Sequence, residues 1–258
     1  MIRDNNEKGR EDRMALERLD KILASQNIGS RKDVGILIRK GRVTVNGAVV
    51  VKPEQKVDAE CNAVAVDGRE LASSQMIYLM MNKPQGVLSA SRDTRAKTVV
   101  DLVPQEWQRR GLFPAGRLDK DTVGLLILTN DGEYAHKMLS PKKKVEKIYE
   151  AILDKPIDSE DILAFSVGVK MKDFDALPAK LSVMPQDLAD ENTLPLERQV
   201  RVIIHEGKYH QVKRMFMARG KTVLALRRVQ IGSLKLDPNL APGEVRQMDE
   251  KEILAVFT

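Results

Sequence analysis

This chain is short of several things. It has one cysteine, Cys61, among 258 residues, which excludes an intramolecular disulfide and a cysteine-rich zinc site. Its three histidines, His136, His205 and His210, lack the spacing of a metal cluster. Aromatic residues make up only 4% of the chain, so Leu, Ile, Val and Met must do most of the packing. No apolar run approaches the ~20 residues that cross a bilayer. Met1 to Arg18 is densely charged and lacks the apolar core of a signal peptide. A cytoplasmic protein with no metal and no membrane partner is expected.

What is present is a globular composition, 42% hydrophobic, on a length that suits a small domain followed by a medium one. The formal net charge is +6, a modest excess that points toward a polyanionic partner without identifying one.

Residues 1–16 carry mixed charges with no sustained apolar period and read as a charged extension. From there Leu16, Leu19, Ile22 and Leu23 fall on one helical stripe, predicting a helix that stops near Asn27 to Gly29. Ser30 has the look of an N-cap, with Asp33 in the capping-box position. Val34, Leu37 and Ile38 supply the buried face of this second helix, and Gly41 ends it. Two β-prone runs around Asn46-Gly47 predict a hairpin over 42–50, and Val64-Ala65-Val66 a further short strand.

Two helices followed by a small sheet, with Arg18-Leu19-Asp20-Lys21, Ser30-Arg31 and Gly41-Arg42-Val43-Thr44-Val45-Asn46-Gly47 as its most telling pieces, resemble the S4 RNA-binding domain. The resemblance implies that Arg18, Lys21, Arg31, Lys32, Arg39, Lys40 and Arg42 contact RNA. The plainer alternative for the basic cluster on the second helix is a solvated helix face.

The domain is assigned to residues 17–67, with 68–75 as a polar linker. A larger domain then occupies 76–258. Its strand candidates are Ile77 to Met81, breaking at Asn82-Lys83-Pro84, then Gly124 to Leu128, Lys147 to Leu153 and Gln199 to Ile204. Helical candidates are Glu133 to Leu139 and Lys208 to Arg219. Without a regular βαβ rhythm, these elements predict an α+β fold: a small S4-like αα-β domain followed by a mixed, mostly antiparallel sheet.

The most informative run is Gly116-Arg117-Leu118-Asp119, followed by Gly124 to Leu128 and Thr129-Asn130-Asp131-Gly132. A carboxylate stands at the mouth of an apolar strand that a tight turn closes. Alone, Asp119 is as readily a turn or cap residue. The whole run, read in order, resembles the catalytic signature of the RsuA-type pseudouridine synthases, a likeness that extends over residues 17 to about 256. That family isomerises a uridine in RNA by breaking its C1′–N1 bond and joining C5 to C1′, a reaction that implies no cofactor.

The resemblance gives Asp119 the central role, attacking C1′ or removing a sugar proton on the way to a glycal. In Lys147-Ile148-Tyr149, the tyrosine either faces the core or, as the family implies, lies against the target base. Base–aromatic stacking contributes about 1–3 kcal/mol. In Lys208-Tyr209-His210-Gln211-Val212-Lys213-Arg214-Met215, the family places Lys213 beside the catalytic aspartate. Lysine is a point charge without arginine's bidentate fork, but it can still hold a carboxylate.

Arg117 would help displace the uridine from its stack. Lys142, Lys143, Lys144, Lys147, Lys208, His210 and Arg214 would meet RNA, the first three as a phosphate-contacting strip. His210 is read as a contact to RNA or backbone in preference to a general base. The Tyr-His-Gln-Val-Lys-Arg-Met version looks like the family member that modifies a single uridine of 16S (small-subunit) ribosomal RNA, with that RNA or an assembly intermediate of the subunit as partner; a monomer is expected. The alternatives are the same chemistry on 23S (large-subunit) RNA, a non-catalytic ribosome-assembly factor, and a glycoside hydrolase using Asp119 with Asp121.

Overall fold

The computed structural model describes residues 16–26, 28–58, 62–71, 76–108, 111–185 and 195–258. The charged extension expected over 1–16 lies outside them but for its last residue, and so does the 72–75 part of the expected linker. The chain divides into two units, Met1–Gln75 and Met76–Thr258.

In the first unit β1 (Leu16–Arg18) leads directly into α1 (Leu19–Ser25), and α2 (Arg31–Arg39) follows. Then come β2 (Val43–Val45), β3 (Ala48–Val50), β4 (Lys56–Asp58), β5 (Val64–Val66) and β6 (Arg69–Glu70). Strands β3-β2-β5-β6 form one antiparallel sheet, and β1 pairs with β4. Leu19, Leu23, Val34, Ile38 and Val43 are fully buried between the helices and the sheet.

The expected hairpin is present, with Asn46 and Gly47 at φ 51° and 80°, the left-handed pair of a type I′ turn. The capping box is also present: the Asp33 N–H donates to Ser30 Oγ at 3.3 Å, and the Ser30 N–H donates to Asp33 Oδ2 at 3.1 Å. Leu16 corrects the helical stripe. It is half exposed in a strand, because the first helical N–H groups, those of Leu19 and Asp20, are taken by the carbonyls of Gln55 and Pro53. The residues before them therefore pair with β4. Arg69–Glu70, expected in a linker, extends the sheet instead.

The second unit runs β7 (Tyr78–Lys83), α3 (Gln105–Gln108), β8 (Phe113–Pro114), β9 (Val123–Thr129), α4 (Gly132–Leu139), β10 (Lys147–Leu153), α5 (Ser159–Val167) and β11 (Lys180–Val183). It continues with β12 (Gln199–Ile204), α6 (Gln211–Ala218), β13 (Val223–Ile231), β14 (Leu234–Lys235), β15 (Val245–Gln247) and α7 (Glu250–Ala255). Its sheet has the order β11-β12-β10-β13-β9-β7-β15, with β14 on β13 and β8 on β9. Among the described pairings only β9 with β13 is parallel.

Both faces of the sheet centre are covered, which is why β7 and β9 read as continuous apolar runs. Leu79, Met81, Leu126 and Leu128 share one core with Phe165 of α5 and Phe216 of α6. Met80, Leu125 and Ile127 share the other with Tyr134 and Met138 of α4. Strand β7 runs to Lys83, two residues beyond its expected end at Met81, because Lys83 still pairs with Gly124. Helix α6 begins at Gln211, three residues later than expected. His210 before it is left-handed, at φ 49°.

Candidate active site

Asp119 lies on the turn that feeds β9, and that turn is held from below. The Leu118 N–H donates to Ser89 Oγ at 3.0 Å, while the same hydroxyl donates to the Leu118 carbonyl at 2.8 Å. Lys83 Nζ donates to the carbonyls of Thr122 at 2.9 Å, Pro84 at 3.0 Å and, at longer range, Lys120 at 3.4 Å. Lys83 is completely buried, and burial pushes its ammonium down to about 8, a fall that the nearby carboxylates of Asp121 and Asp119 partly oppose. Buried polar contacts of this kind fix a loop more firmly than exposed ones.

Gly124 lies five residues beyond Asp119 at φ 100°. A Cβ there would stand 2.3 Å from the carbonyl oxygen of Arg228, so only glycine lets β13 approach β9 at this point.

From the other side comes α6 with the turn before it. Lys213 Nζ is 3.4 Å from Asp119 Oδ2, and His210 Nε2 is 3.4 Å from Asp119 Oδ1. Lys213 is closer still to Asp121, at 2.5 Å, and this hydrogen bond holds the Asp121 carboxyl below the usual carboxylate range. One ammonium thus serves two carboxylates. The His210 ring stacks on Tyr209 with centroids 3.8 Å apart. Gln211 stiffens the turn, accepting from the Lys208 N–H at 2.9 Å and donating to Glu206 at 2.7 Å.

Between these elements opens a small pocket of about 50 Å³ lined by Asp119, Tyr149, His210, Leu118, Val212 and Leu226 among others. Apolar Leu118, Ile204, Val212 and Leu226 share its lining with polar Thr122, Lys208, His210 and Gln211. It brings an aromatic ring, that of Tyr149, and a carboxylate, that of Asp119, into one cavity.

Tyr149 is 7% exposed and belongs to the core cluster as well as to the pocket wall. It thus faces the core and also lines the pocket. Arg228, 3% exposed, donates from Nε to the Leu125 carbonyl at 2.9 Å and stands 3.4 Å from the Tyr149 hydroxyl.

The other expected site residues divide. Arg117 is exposed, with no ion pair among the described residues. Lys142, Lys143 and Lys144 are exposed on a short 3-10 turn and its exit. Lys208 pairs with Glu206 at 3.4 Å. Arg214 pairs with Asp173 and lies over the Phe174 ring.

Lys147 corrects the expectation of an RNA contact. It is 5% exposed, its ammonium donates to the Val145 carbonyl at 3.1 Å, and burial pushes it down to about 8. Strand alternation explains this, since Lys147 and Tyr149 lie on the same face of β10. In the first unit Arg31, Lys32, Arg39 and Lys40 are exposed. Arg18 is engaged with Asp20, Lys21 with Glu17, and Arg42 with Asp67.

Lys83 and Arg228 escaped the sequence reading. Each was visible only as a cation in an apolar run: Lys83 at the end of Ile77-Tyr78-Leu79-Met80-Met81, and Arg228 within Leu224 to Ile231.

Two family models match. RNA pseudouridylate synthase covers residues 77–218, and the S4 domain covers residues 17–60. An RNA pseudouridine synthase of Bacillus subtilis is 46% identical over 92% of this chain and 96% of its own length. The ribosomal small subunit pseudouridine synthase A of Salmonella typhimurium is 41% identical over 93% of this chain and 99% of its own. A crystal structure of a pseudouridylate synthase superposes with a TM-score of 0.64 at 32% identity, covering 93% of this chain and 99% of that one.

Proposed function

Since the chain belongs to the RNA pseudouridylate synthase family and carries an S4 domain, we propose that it isomerises one uridine of small-subunit ribosomal RNA to pseudouridine, with Asp119 as the reacting carboxylate. The choice of RNA rests on relatives named ribosomal small subunit pseudouridine synthase A, matched over nearly their whole length. The choice of residue rests on one observation. Asp119 lines one pocket together with Tyr149, and Lys213 at 3.4 Å steadies its carboxylate.

The uridine leaves its stack and its uracil enters the pocket. Unstacking costs a few kcal/mol, which phosphate contacts elsewhere offset. Lys142, Lys143, Lys144 and Lys208 are placed for those contacts, as are Arg31, Lys32, Arg39 and Lys40 of the S4 domain. The Tyr149 ring braces the base, and Arg117, exposed and without an ion pair among the described residues, helps displace the uridine from its stack.

The C1′–N1 bond then breaks. Asp119 either bonds to C1′ or takes a sugar proton to give a glycal. The uracil turns and C5 joins C1′ as the Asp119–C1′ bond breaks or, on the glycal route, as the proton returns to the sugar; the C5 proton passes to solvent, and N1 gains one in exchange. Atoms and electrons balance without an oxidant or an energy source. His210, 3.4 Å from Asp119 and stacked on Tyr209, also lines the pocket. It is placed to order the approaching backbone and to fix Asp119.

The test is tritium release from small-subunit ribosomal RNA labelled at uridine C5. The intact protein should release label in proportion to one site per RNA, and the Asp119→Asn protein should release none. Activity surviving in that variant would remove Asp119 from the mechanism. Primer-extension mapping that places the product in large-subunit RNA would instead overturn the substrate.

A further inference from the structure

Arg228 occupies a position that packing alone does not account for. In the sheet it is the cross-strand partner of Tyr149 on β10 and of Gly124 on β9, so Tyr149, Arg228 and Gly124 form one row across three strands. The pairing of β10 with β13 is irregular at this step, with a register shift between Ile148 and Tyr149. Such bulges re-aim a side chain.

The guanidinium is 3% exposed and has no carboxylate partner among the described residues. Its Nε is used by the Leu125 carbonyl and its Nη1 reaches the Tyr149 hydroxyl, while Nη2 finds no partner there. Burying an uncompensated cation costs several kcal/mol. An aliphatic residue would fill the same space in a sheet centre already packed on both faces. A local violation of this kind is expected where function, and not stability, sets the residue.

Arginine can only donate. The Tyr149 oxygen must therefore accept from it, which fixes the deep end of the ring and leaves the phenolic hydrogen to point elsewhere. The other arm of the fork grips β9 one residue beyond Gly124, on the strand that carries the Asp119 turn.

We propose that Arg228 is a positioning residue for the isomerisation, tying the base-bracing ring of Tyr149 to the strand that holds Asp119, so that ring and carboxylate keep one mutual geometry. The inference rests on the roles given to Tyr149 and Asp119 above. A displacement of about 1 Å in such an arrangement can cost about a hundredfold in rate. RNA affinity, set mainly by phosphate contacts, is left alone.

Four proteins test this: the wild type, Arg228→Met, Tyr149→Phe and the double variant, assayed by single-turnover tritium release. Folding is checked by the fluorescence of Trp107. Arg228→Met should lower the rate constant by about tenfold to a hundredfold, with KM changed by less than about threefold. In the Tyr149→Phe background, where no hydroxyl accepts, the further loss should shrink to about threefold or less, a non-additivity that independent sites do not show.

Arg228→Lys keeps the buried charge but not the fork. It should follow the same pattern if Arg228→Met does not fold. Full activity in a folded Arg228 variant overturns the proposal, as does an equal loss in both backgrounds. An inactive wild type would sink the activity itself, whereas an active wild type with indifferent Arg228 variants sinks only this inference.

Discussion

Every described lysine and arginine of the unit 1–75 is exposed, whereas in 76–258 Lys83, Lys147 and Arg228 are each at most 5% exposed. The first unit packs its helices and sheet around a small aliphatic core and leaves its cations at the surface. There they act over a Debye length, attract a polyanion and contribute little to stability. The second unit turns cations inward, onto backbone carbonyls around the Asp119 turn and the Tyr149 strand. Placed there, charge costs stability and fixes geometry. On the roles proposed above, charge serves affinity in one unit and alignment in the other.

The contrast is tested most severely by two glycines. Gly124→Ala places a Cβ 2.3 Å from the Arg228 carbonyl oxygen at a φ of 100°. It should cost more than about 3 kcal/mol, since backbone must move. Gly47→Ala, at φ 80° with nothing within 4 Å, should cost about 1–2 kcal/mol. Urea unfolding followed through Trp107, the single tryptophan, which packs on the core of the second unit, should move for Gly124→Ala alone. Movement for Gly47→Ala as well would show that the two units unfold as one.

Next in size is affinity. Changing Arg31, Lys32, Arg39 and Lys40 together to Gln should leave thermal stability almost unaltered, as exposed substitutions do. If these side chains meet phosphates, the slope of log K against log salt should flatten by about 3, and affinity should fall roughly a hundredfold at moderate salt. An unchanged slope would make α2 the solvated face that its sequence equally allowed.

How much of this was legible follows from the same division. The hairpin at Asn46-Gly47, the Ser30 box and the apolar strand after Gly124 were readable, because their signals are local and a handful of residues carries each. Helix α5 has an equally local signal in Asp158-Ser159-Glu160-Asp161, a second capping box, and went unread. Strand β13, nine residues long, was hidden because Arg227-Arg228 interrupts its apolar alternation. Lys83 and Arg228 could not be read as buried, since their burial depends on strands distant in sequence. The pairing of His210 and Lys213 with Asp119 spans about ninety residues. Only the family resemblance brought Lys213 to Asp119, and nothing local put His210 there.

Buried lysines also give the second unit a pH signature that the first should lack. Lys83 and Lys147 titrate near 8 when folded, against about 10.4 in an unfolded chain. Between those values the unfolded state binds more protons, so stability rises with pH across the window. The full penalty of the buried charges is present below pH 8. The rise should be about 2 kcal/mol for each of the two lysines between pH 8 and 10, measured as the urea midpoint of the Trp107 signal, and Lys147→Met should remove about half of it. A midpoint that falls over this range would mean that the ammonium groups are better compensated than their surroundings suggest. The first unit, followed by hydrogen exchange of its helices, should show no such rise.

The smallest effect sharpens the comparison most finely, because the two units use the same device in different settings. Ser30 and Asp33 cap α2 reciprocally at the surface, so Ser30→Ala removes one exposed hydrogen-bond acceptor from a frayed-end position. It should cost about 1 kcal/mol, read as faster amide exchange in α2. Asp158 and Asp161 make the same box at α5, but Asp161 is fully buried and also holds Arg219 and Lys221. Removing that carboxylate would strand two cations as well as open a cap. The Ser30 value therefore measures the box alone, and any excess in an Asp161→Asn protein measures what burial adds to it. If the two variants cost the same, inward charge is no more than a cap in the second unit, and the distinction between charge for affinity and charge for alignment fails at its most accessible point.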